Sequence, residues 1–340
     1  MKIQENIPLA PYTTFKIGGP ARFFCEAKRE DEIIEALKFA KEKSIPVFVL
    51  GGGSNILVSG KGFDGLVIKI SNFKFQISNY SITCDSGYLL SKIVSESVKA
   101  GLTGLEWAAG IPGTIGGAVR GNAGAFGSSM SVIVENVKVL EISKNSCHSE
   151  PRLLSRGEES RANSSSFSTG SFTSACRPLL RMTNKDCKFA YRDSIFKHNS
   201  NLIILSATLK LKKGDKAESE KKIKEILALR REKQPMDFPS PGSFFKNPIM
   251  KDKKLIKQFE TDTGQKIKDN KIPAPWLIGE AGLKGKKIGE AMVSEKHANF
   301  IVNMGNATAE DVIMLAAIIK TKVRNKFGIQ LQEEVQMVGF

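Results

Sequence analysis

Two glycine-rich segments, about sixty residues apart, constrain this chain most. The first is Gly51-Gly52-Gly53-Ser54-Asn55, directly after the apolar run Val47-Phe48-Val49-Leu50. The second is Gly110-Ile111-Pro112-Gly113-Thr114-Ile115-Gly116-Gly117-Ala118-Val119, continuing to Gly121-Asn122-Ala123-Gly124-Ala125. Neither has Rossmann or Walker spacing. Glycine permits positive φ and lets a ligand approach with no Cβ in the way. Successive exposed N–H groups then cradle an anionic pyrophosphate. Two such loops on one chain suit a long dinucleotide held at two places, so a cofactor-dependent enzyme is the leading expectation.

At 340 residues the chain is long enough for two or three domains with their own cores. An apolar fraction of 41% with 25% charged residues is ordinary for a soluble globular protein. No run reaches the roughly 18 apolar residues of a membrane span. The opening residues 1–6 lack the apolar stretch of a signal peptide. A cytoplasmic protein without membrane insertion is therefore expected. The cysteines (Cys25, Cys84, Cys147, Cys176, Cys187) show no C-x-x-C spacing, and the only histidines are His148, His198 and His297. Reduced, inert thiols and no metal site are expected. The net charge of +16 admits nucleic-acid binding, a field that draws anionic substrates, or simply a lysine-rich solvated surface. Aromatic residues do not interleave with the basic ones as a stacking surface requires. No helix-turn-helix or zinc-finger spacing occurs, so no nucleic-acid partner is expected.

Periodicity predicts a helix over 29–43, with Ile33, Ile34, Leu37 and Ala40 on one face. Strands at 47–50 and 66–70 flank it in sequence, outlining a small N-terminal lobe. The first glycine loop then lies at the carboxyl end of a strand, where α/β sheets bind ligands. A helix over 89–100, with Gly101 as a C-cap, precedes the second loop. Strands at 132–142 and 202–211 suggest a second lobe richer in strand. Between them, residues 144–183 carry a low-complexity serine-rich stretch and scattered arginines, with no hydrophobic period. Such a segment buries too little apolar area to offset its ordering entropy, and a disordered surface insertion is expected. A charged helix at 215–233 bridges to a third lobe. There a helix at 308–326 opens on Thr308 and Asp311, close to a capping box, and stops at Gly328. Residues 330–338 read as a terminal strand. The expected boundaries are 1–72 and 73–214 for the two lobes, 215–328 for the third, and 329–340 for the terminal strand.

Four short stretches carry groups able to do chemistry. In Tyr191-Arg192-Asp193-Ser194-Ile195-Phe196-Lys197 a guanidinium is placed to grip a carboxylate bidentately, although a surface salt bridge is the commoner outcome locally. In residues 239–248, Gly242 and three prolines fix the backbone around Ser243, and Phe244 and Phe245 exclude water nearby. A rigid, partly dry serine with Lys246 close by suits proton delivery. A nucleophilic serine needs a base, commonly histidine, and no G-x-S-x-G elbow is present, so hydrolysis is the weaker reading. Glu333 and Glu334 stand side by side on the terminal strand, where alternation sends them to opposite faces. Which one faces a site stays open. His297 precedes an apolar strand and reads as a satisfied structural histidine ahead of a catalytic one.

These blocks, in this order, resemble the UDP-N-acetylenolpyruvoylglucosamine reductase family, flavoenzymes of peptidoglycan precursor synthesis. The matching stretches are residues 13–21, 50–55, 105–127, 191–197, 242–248, 275–303 and 333–339, nearly the whole chain apart from 144–183. The resemblance implies an α+β architecture: a two-lobed FAD-binding fold of the vanillyl-alcohol-oxidase type plus a C-terminal α/β substrate-binding domain. It implies non-covalent FAD against Gly51, Gly52, Gly53, Ser54 and Asn55 in one loop. In the other loop it implies Gly110, Ile111, Pro112, Gly113, Thr114, Gly117, Ala118, Asn122, Gly124 and Ala125. It assigns catalytic positions to Arg192, Ser243 and Glu334, and substrate contacts to Lys233 and Asn247. It further implies NADPH as reductant, a UDP-sugar enolpyruvate as substrate, a monomer, and the short-loop subclass, from the block around Ser294–His297. In that chemistry hydride passes through the flavin to carbon-3 of the enolpyruvyl group. Arg192 and a Glu334 that is protonated or shares a proton stabilise the enolate, and Ser243 protonates carbon-2 with help from Lys246 or an ordered water. A sugar or alcohol oxidase of the same flavin fold is the alternative, and the Pro-Gly-Ser-Phe-Phe setting of Ser243 argues against it.

Overall fold

The computed structural model describes residues 1–71, 74–142 and 176–340. Its first sheet has the order Ile3–Pro8, Pro20–Ala27, Phe63–Ile70, Val47–Leu50. The last three strands run parallel. Parallel neighbours need a crossover, and the helix Glu30–Glu42 supplies one, burying Ile33, Ala36, Leu37 and Ala40 against the sheet. Glu30, Asp31 and Glu32 occupy its first turn, where negative charge suits the helix dipole.

The second sheet is antiparallel throughout, in the order Cys176–Thr183, Val134–Ile142, Leu202–Lys210, Ser81–Asp85, Phe75–Ser78. Most of the expected insertion lies outside the described residues. Its expected end at 183 is too late, because Cys176–Thr183 is an edge strand, with Met182 opposite Val137 and Leu180 opposite Val139. Ladder hydrogen bonds to a neighbour, which leave no mark in a local hydrophobic count, carry this strand. The helix Lys216–Lys233 also departs from expectation. Its Ile223 and Ile226 pack into the core under the second sheet with Leu90, Ile93 and Trp107. By packing it belongs to the second lobe, and the border falls at its end rather than at 215.

The remaining core gathers residues from Phe244 to Val335 around the helix Ala309–Phe327. That helix starts on a complete capping box between Thr308 and Asp311 and ends at Gly328, which is left-handed at φ +70°. Val312, Leu315, Ile319 and Val323 form its buried face. Two further helices, Lys253–Thr263 and Ala274–Glu280, went unmarked in the sequence pattern. Phe15, Ile17 and Leu57 of the N-terminal segment join this core. The terminal strand is shorter than expected. Only Gln336–Val338 is strand, and it pairs parallel with Ile56–Val58 of the first lobe. The chain end therefore returns to the residues that directly follow the first glycine loop. Among the described residues no helix is long and apolar enough to cross a membrane.

Candidate active site

The two glycine loops touch. Ser54 Oγ donates to the Pro112 carbonyl at 3.1 Å. A Cβ on Gly52 would stand 2.6 Å from Gly113 Cα, and one on Gly51 would stand 2.7 Å from Thr114 Oγ1. Side chains at these positions would force the loops apart. Thr114 caps the short helix Ile115–Gly121, its Oγ1 accepting from Gly117 N at 3.5 Å. Gly117 is exposed, and nothing lies near its missing Cβ except that hydroxyl, at 3.8 Å. A glycine backbone edge that is closed on one side and open on the other fits the diphosphate of a bound FAD. Not every residue of the second loop faces this edge. Ala118 is buried in the core, and Gly110 is covered by Arg230 and Leu227. Asn122 directs both ends of its amide into protein: Nδ2 donates to Ala190 O at 2.7 Å and Oδ1 accepts from Ser131 N at 2.9 Å. Through Ala190 it tethers the turn that carries Arg192.

Ala190 and Asp193 exchange backbone hydrogen bonds at 3.0 and 3.1 Å, closing that turn, and Arg192 sits within it at φ +56°. Its Nη2 donates to Gly124 O at 2.8 Å. Its Nε lies 2.8 Å from Glu334 Oε1 but finds no acceptor along its N–H, so the contact is an ion pair rather than a directed hydrogen bond. Lys197 Nζ donates to Arg192 O at 2.7 Å.

Glu334 arrives from the returning tail. Its N–H donates to Phe244 O at 2.8 Å, and Lys246 N donates to Gln332 O at 2.9 Å, which lays residues 332–334 beside residues 244–246. Asn55 Nδ2 donates to the Glu334 carbonyl at 3.1 Å, fixing the tail to the first glycine loop. Glu333 turns away and pairs with Lys320 at 2.8 Å. The two acids therefore do separate, and Glu334 is the one in the site. Burial raises the pKa of its carboxyl, while Arg192, Lys197 and Lys246 pull it back down. Burial also lowers the pKa of Lys197, helped by the charge of Lys246. Arg120 is lowered by burial as well, against the pull of Asp193. Four cations (Arg120, Arg192, Lys197, Lys246) thus surround two acids (Asp193, Glu334), an excess suited to an anionic substrate.

Ser243 stands next to this cluster, bridged to Phe300 and followed by the fully buried Phe244 and Phe245. Burying each such ring contributes roughly 2–3 kcal/mol, which anchors the segment. Gly242 is left-handed at φ +82°, and beyond its chain neighbours its missing Cβ would meet nothing within 4 Å. The buried Asn299 holds the segment from behind. Its Nδ2 donates to Phe245 O at 2.8 Å and its Oδ1 accepts from Phe245 N at 3.0 Å. Asn247 acts partly as a cap, its Oδ1 accepting from Ala274 N at 2.9 Å at the start of the helix Ala274–Glu280. Lys233 is exposed in the last turn of the helix Lys216–Lys233.

Sequence reasoning missed Asn299, Arg120 and the placement of Lys197. For Asn299 a signal existed, since an amide between Ala298 and the apolar run Phe300–Val302 must find partners inside the protein. His297 is structural but not satisfied. Its Nδ1 is buried without a partner, its ring packs edge-on against Phe300 at 4.7 Å, and burial lowers its pKa to about 4. The thiols of Cys25, Cys84 and Cys187 are buried, and burial raises their pKa to about 12, 12 and 11.

Two family models match the chain: an FAD binding domain over residues 21–146, and the C-terminal domain of UDP-N-acetylenolpyruvoylglucosamine reductase over residues 234–338. The UDP-N-acetylenolpyruvoylglucosamine reductase of Caldanaerobacter subterraneus is 38% identical over 99% of this chain and 94% of its own. That of Anoxybacillus flavithermus is 37% identical with the same coverage. The crystal structure of the reductase from Thermus caldophilus superposes with a TM-score of 0.71 at 30% identity, covering 99% of both chains.

Proposed function

This chain belongs to the UDP-N-acetylenolpyruvoylglucosamine reductase family, and from that premise we propose that Arg192, Ser243 and Glu334 carry the family's reaction here. The chain is an FAD-dependent oxidoreductase of peptidoglycan precursor synthesis, reducing UDP-N-acetylglucosamine enolpyruvate to UDP-N-acetylmuramate. FAD held at the two glycine loops would supply the hydride chemistry that links NADPH to carbon-3 of the enolpyruvyl group. Protein side chains manage everything else. The Arg192 guanidinium orients the substrate carboxylate and stabilises the charge that gathers on it. In its protonated form, which burial favours and the Arg192, Lys197 and Lys246 charges oppose, Glu334 would donate a hydrogen bond to the same carboxylate. Preorganised donors of this kind are worth roughly 3 kcal/mol each when removed. Ser243 Oγ gives its proton to carbon-2 and is reprotonated through Lys246 or water. Phe244 and Phe245 keep the surroundings dry, which strengthens each of these interactions.

One observation carries this reading: Arg192 and Glu334 meet at 2.8 Å at a place tied to both glycine loops, through Gly124 on one side and Asn55 on the other. The purified protein is expected to be yellow, to bleach anaerobically with NADPH, and to regain colour on adding the UDP-sugar enolpyruvate. A colourless protein that takes up no FAD would overturn the reading.

A further inference from the structure

Arg192 holds a backbone conformation that residues with a side chain avoid, at φ +56°. Three contacts keep it there. Ala190 and Asp193 close the turn, Asn122 holds the Ala190 carbonyl, and Lys197 Nζ donates to the carbonyl of Arg192 itself at 2.7 Å. Lys197 reaches this carbonyl from the short helix Ile195–His198, where it is half-buried. The position is a costly one for an ammonium, with like charges on Lys246 and Arg120 beside it, and only Asp193 and Glu334 opposing them.

We propose that Lys197 is the positioning residue of the centre: its hydrogen bond to Arg192 O fixes the left-handed turn that aims the guanidinium at Glu334, and its charge acts on that carboxyl from a fixed place. The inference rests on the catalytic reading above. The charged groups acting on Glu334 are Arg192 from the turn, Lys197 from its helix and Lys246 from the segment beside residues 332–334. Removing Lys197 leaves two of the three, so Glu334 keeps its proton to higher pH. Activity that depends on protonated Glu334 falls as pH rises, and this alkaline limb moves upward.

The test compares wild-type, Lys197→Met and Lys197→Arg holoenzymes. It reads FAD per chain, FAD reduction by NADPH, and kcat and KM for the UDP-sugar enolpyruvate across pH. The methionine variant is expected to keep full FAD and a normal rate with NADPH. Its kcat should fall about 30-fold, with KM within about threefold, because a misaimed guanidinium costs alignment rather than binding. Its alkaline limb should move up by about one unit, the effect of one nearby charge at an intermediate dielectric. The arginine variant, which can keep both donor and charge, should recover to within about threefold of wild type. Loss of FAD or equal slowing of both half-reactions in the methionine variant would make Lys197 merely structural. A wild-type kcat and pH profile in that variant, or no recovery with arginine, would also overturn the inference. A wild-type holoenzyme that fails to reduce the UDP-sugar would overturn the catalytic reading and the inference with it.

Discussion

Arg192 Nε stands 2.8 Å from Glu334 Oε1, joining a turn beside the second glycine segment to the tail that returns beside the first. If Glu334 acts as a neutral donor, an amide can replace it. Glu334→Gln is expected to keep kcat within about tenfold of wild type, whereas Glu334→Ala should lose about 10²–10³ by removing the donor altogether. Steady-state kinetics on the two variants checks this. A glutamine variant as slow as the alanine variant would point to proton transfer through the carboxyl.

The contact between the glycine loops predicts an effect on the cofactor. In Gly52→Ala the new methyl would stand 2.6 Å from backbone at Gly113, where no flexible side chain can yield. The loops must part, at a cost of about 1–3 kcal/mol. FAD affinity, measured by quenching of flavin fluorescence on titration, should weaken about tenfold or more. An unchanged affinity would mean that the loops do not hold the cofactor.

His297 predicts a pH dependence of stability. Its pKa falls from 6.5 to about 4 on folding, so the unfolded chain takes up a proton that the folded chain refuses. The stabilisation is complete above pH 6.5 and drains away as pH falls toward 4, amounting to about 3 kcal/mol over the whole window. Denaturant unfolding at pH 7 and pH 4 should therefore show a smaller loss in His297→Gln than in wild type. Equal losses would mean that the ring is already solvated in the folded state.

Much of this was legible in the chain. The helices Glu30–Glu42 and Ala309–Phe327 announced themselves by apolar spacing and, for the second, by Thr308 and Asp311. The glycine loops were legible because close backbone approach leaves no substitute for glycine. Arg192, Ser243 and Glu334 were reached through the resemblance. Local reading alone preferred a surface salt bridge for Arg192 and left Glu333 and Glu334 undecided. What was not legible depends on long-range pairing. The edge strand Cys176–Thr183 exists because Val134–Ile142 lies beside it, and Lys216–Lys233 joins the second lobe because Ile226 finds that core. Asn122 and Asn247 came from the resemblance, and local reading could not show their hydrogen bonds to Ala190 and from Ala274, because those partners lie far along the chain.

In the proposed mechanism Ser243 delivers a proton to the substrate and takes no part in loading the cofactor with electrons. Anaerobic stopped-flow on Ser243→Ala tests it most directly, following reduction by NADPH and then reoxidation by the UDP-sugar enolpyruvate. The first rate is expected to stay within about twofold of wild type and the second to fall by about 10³ or more. Equal slowing of both steps, or reoxidation at the wild-type rate, would rule out Ser243 as the proton donor.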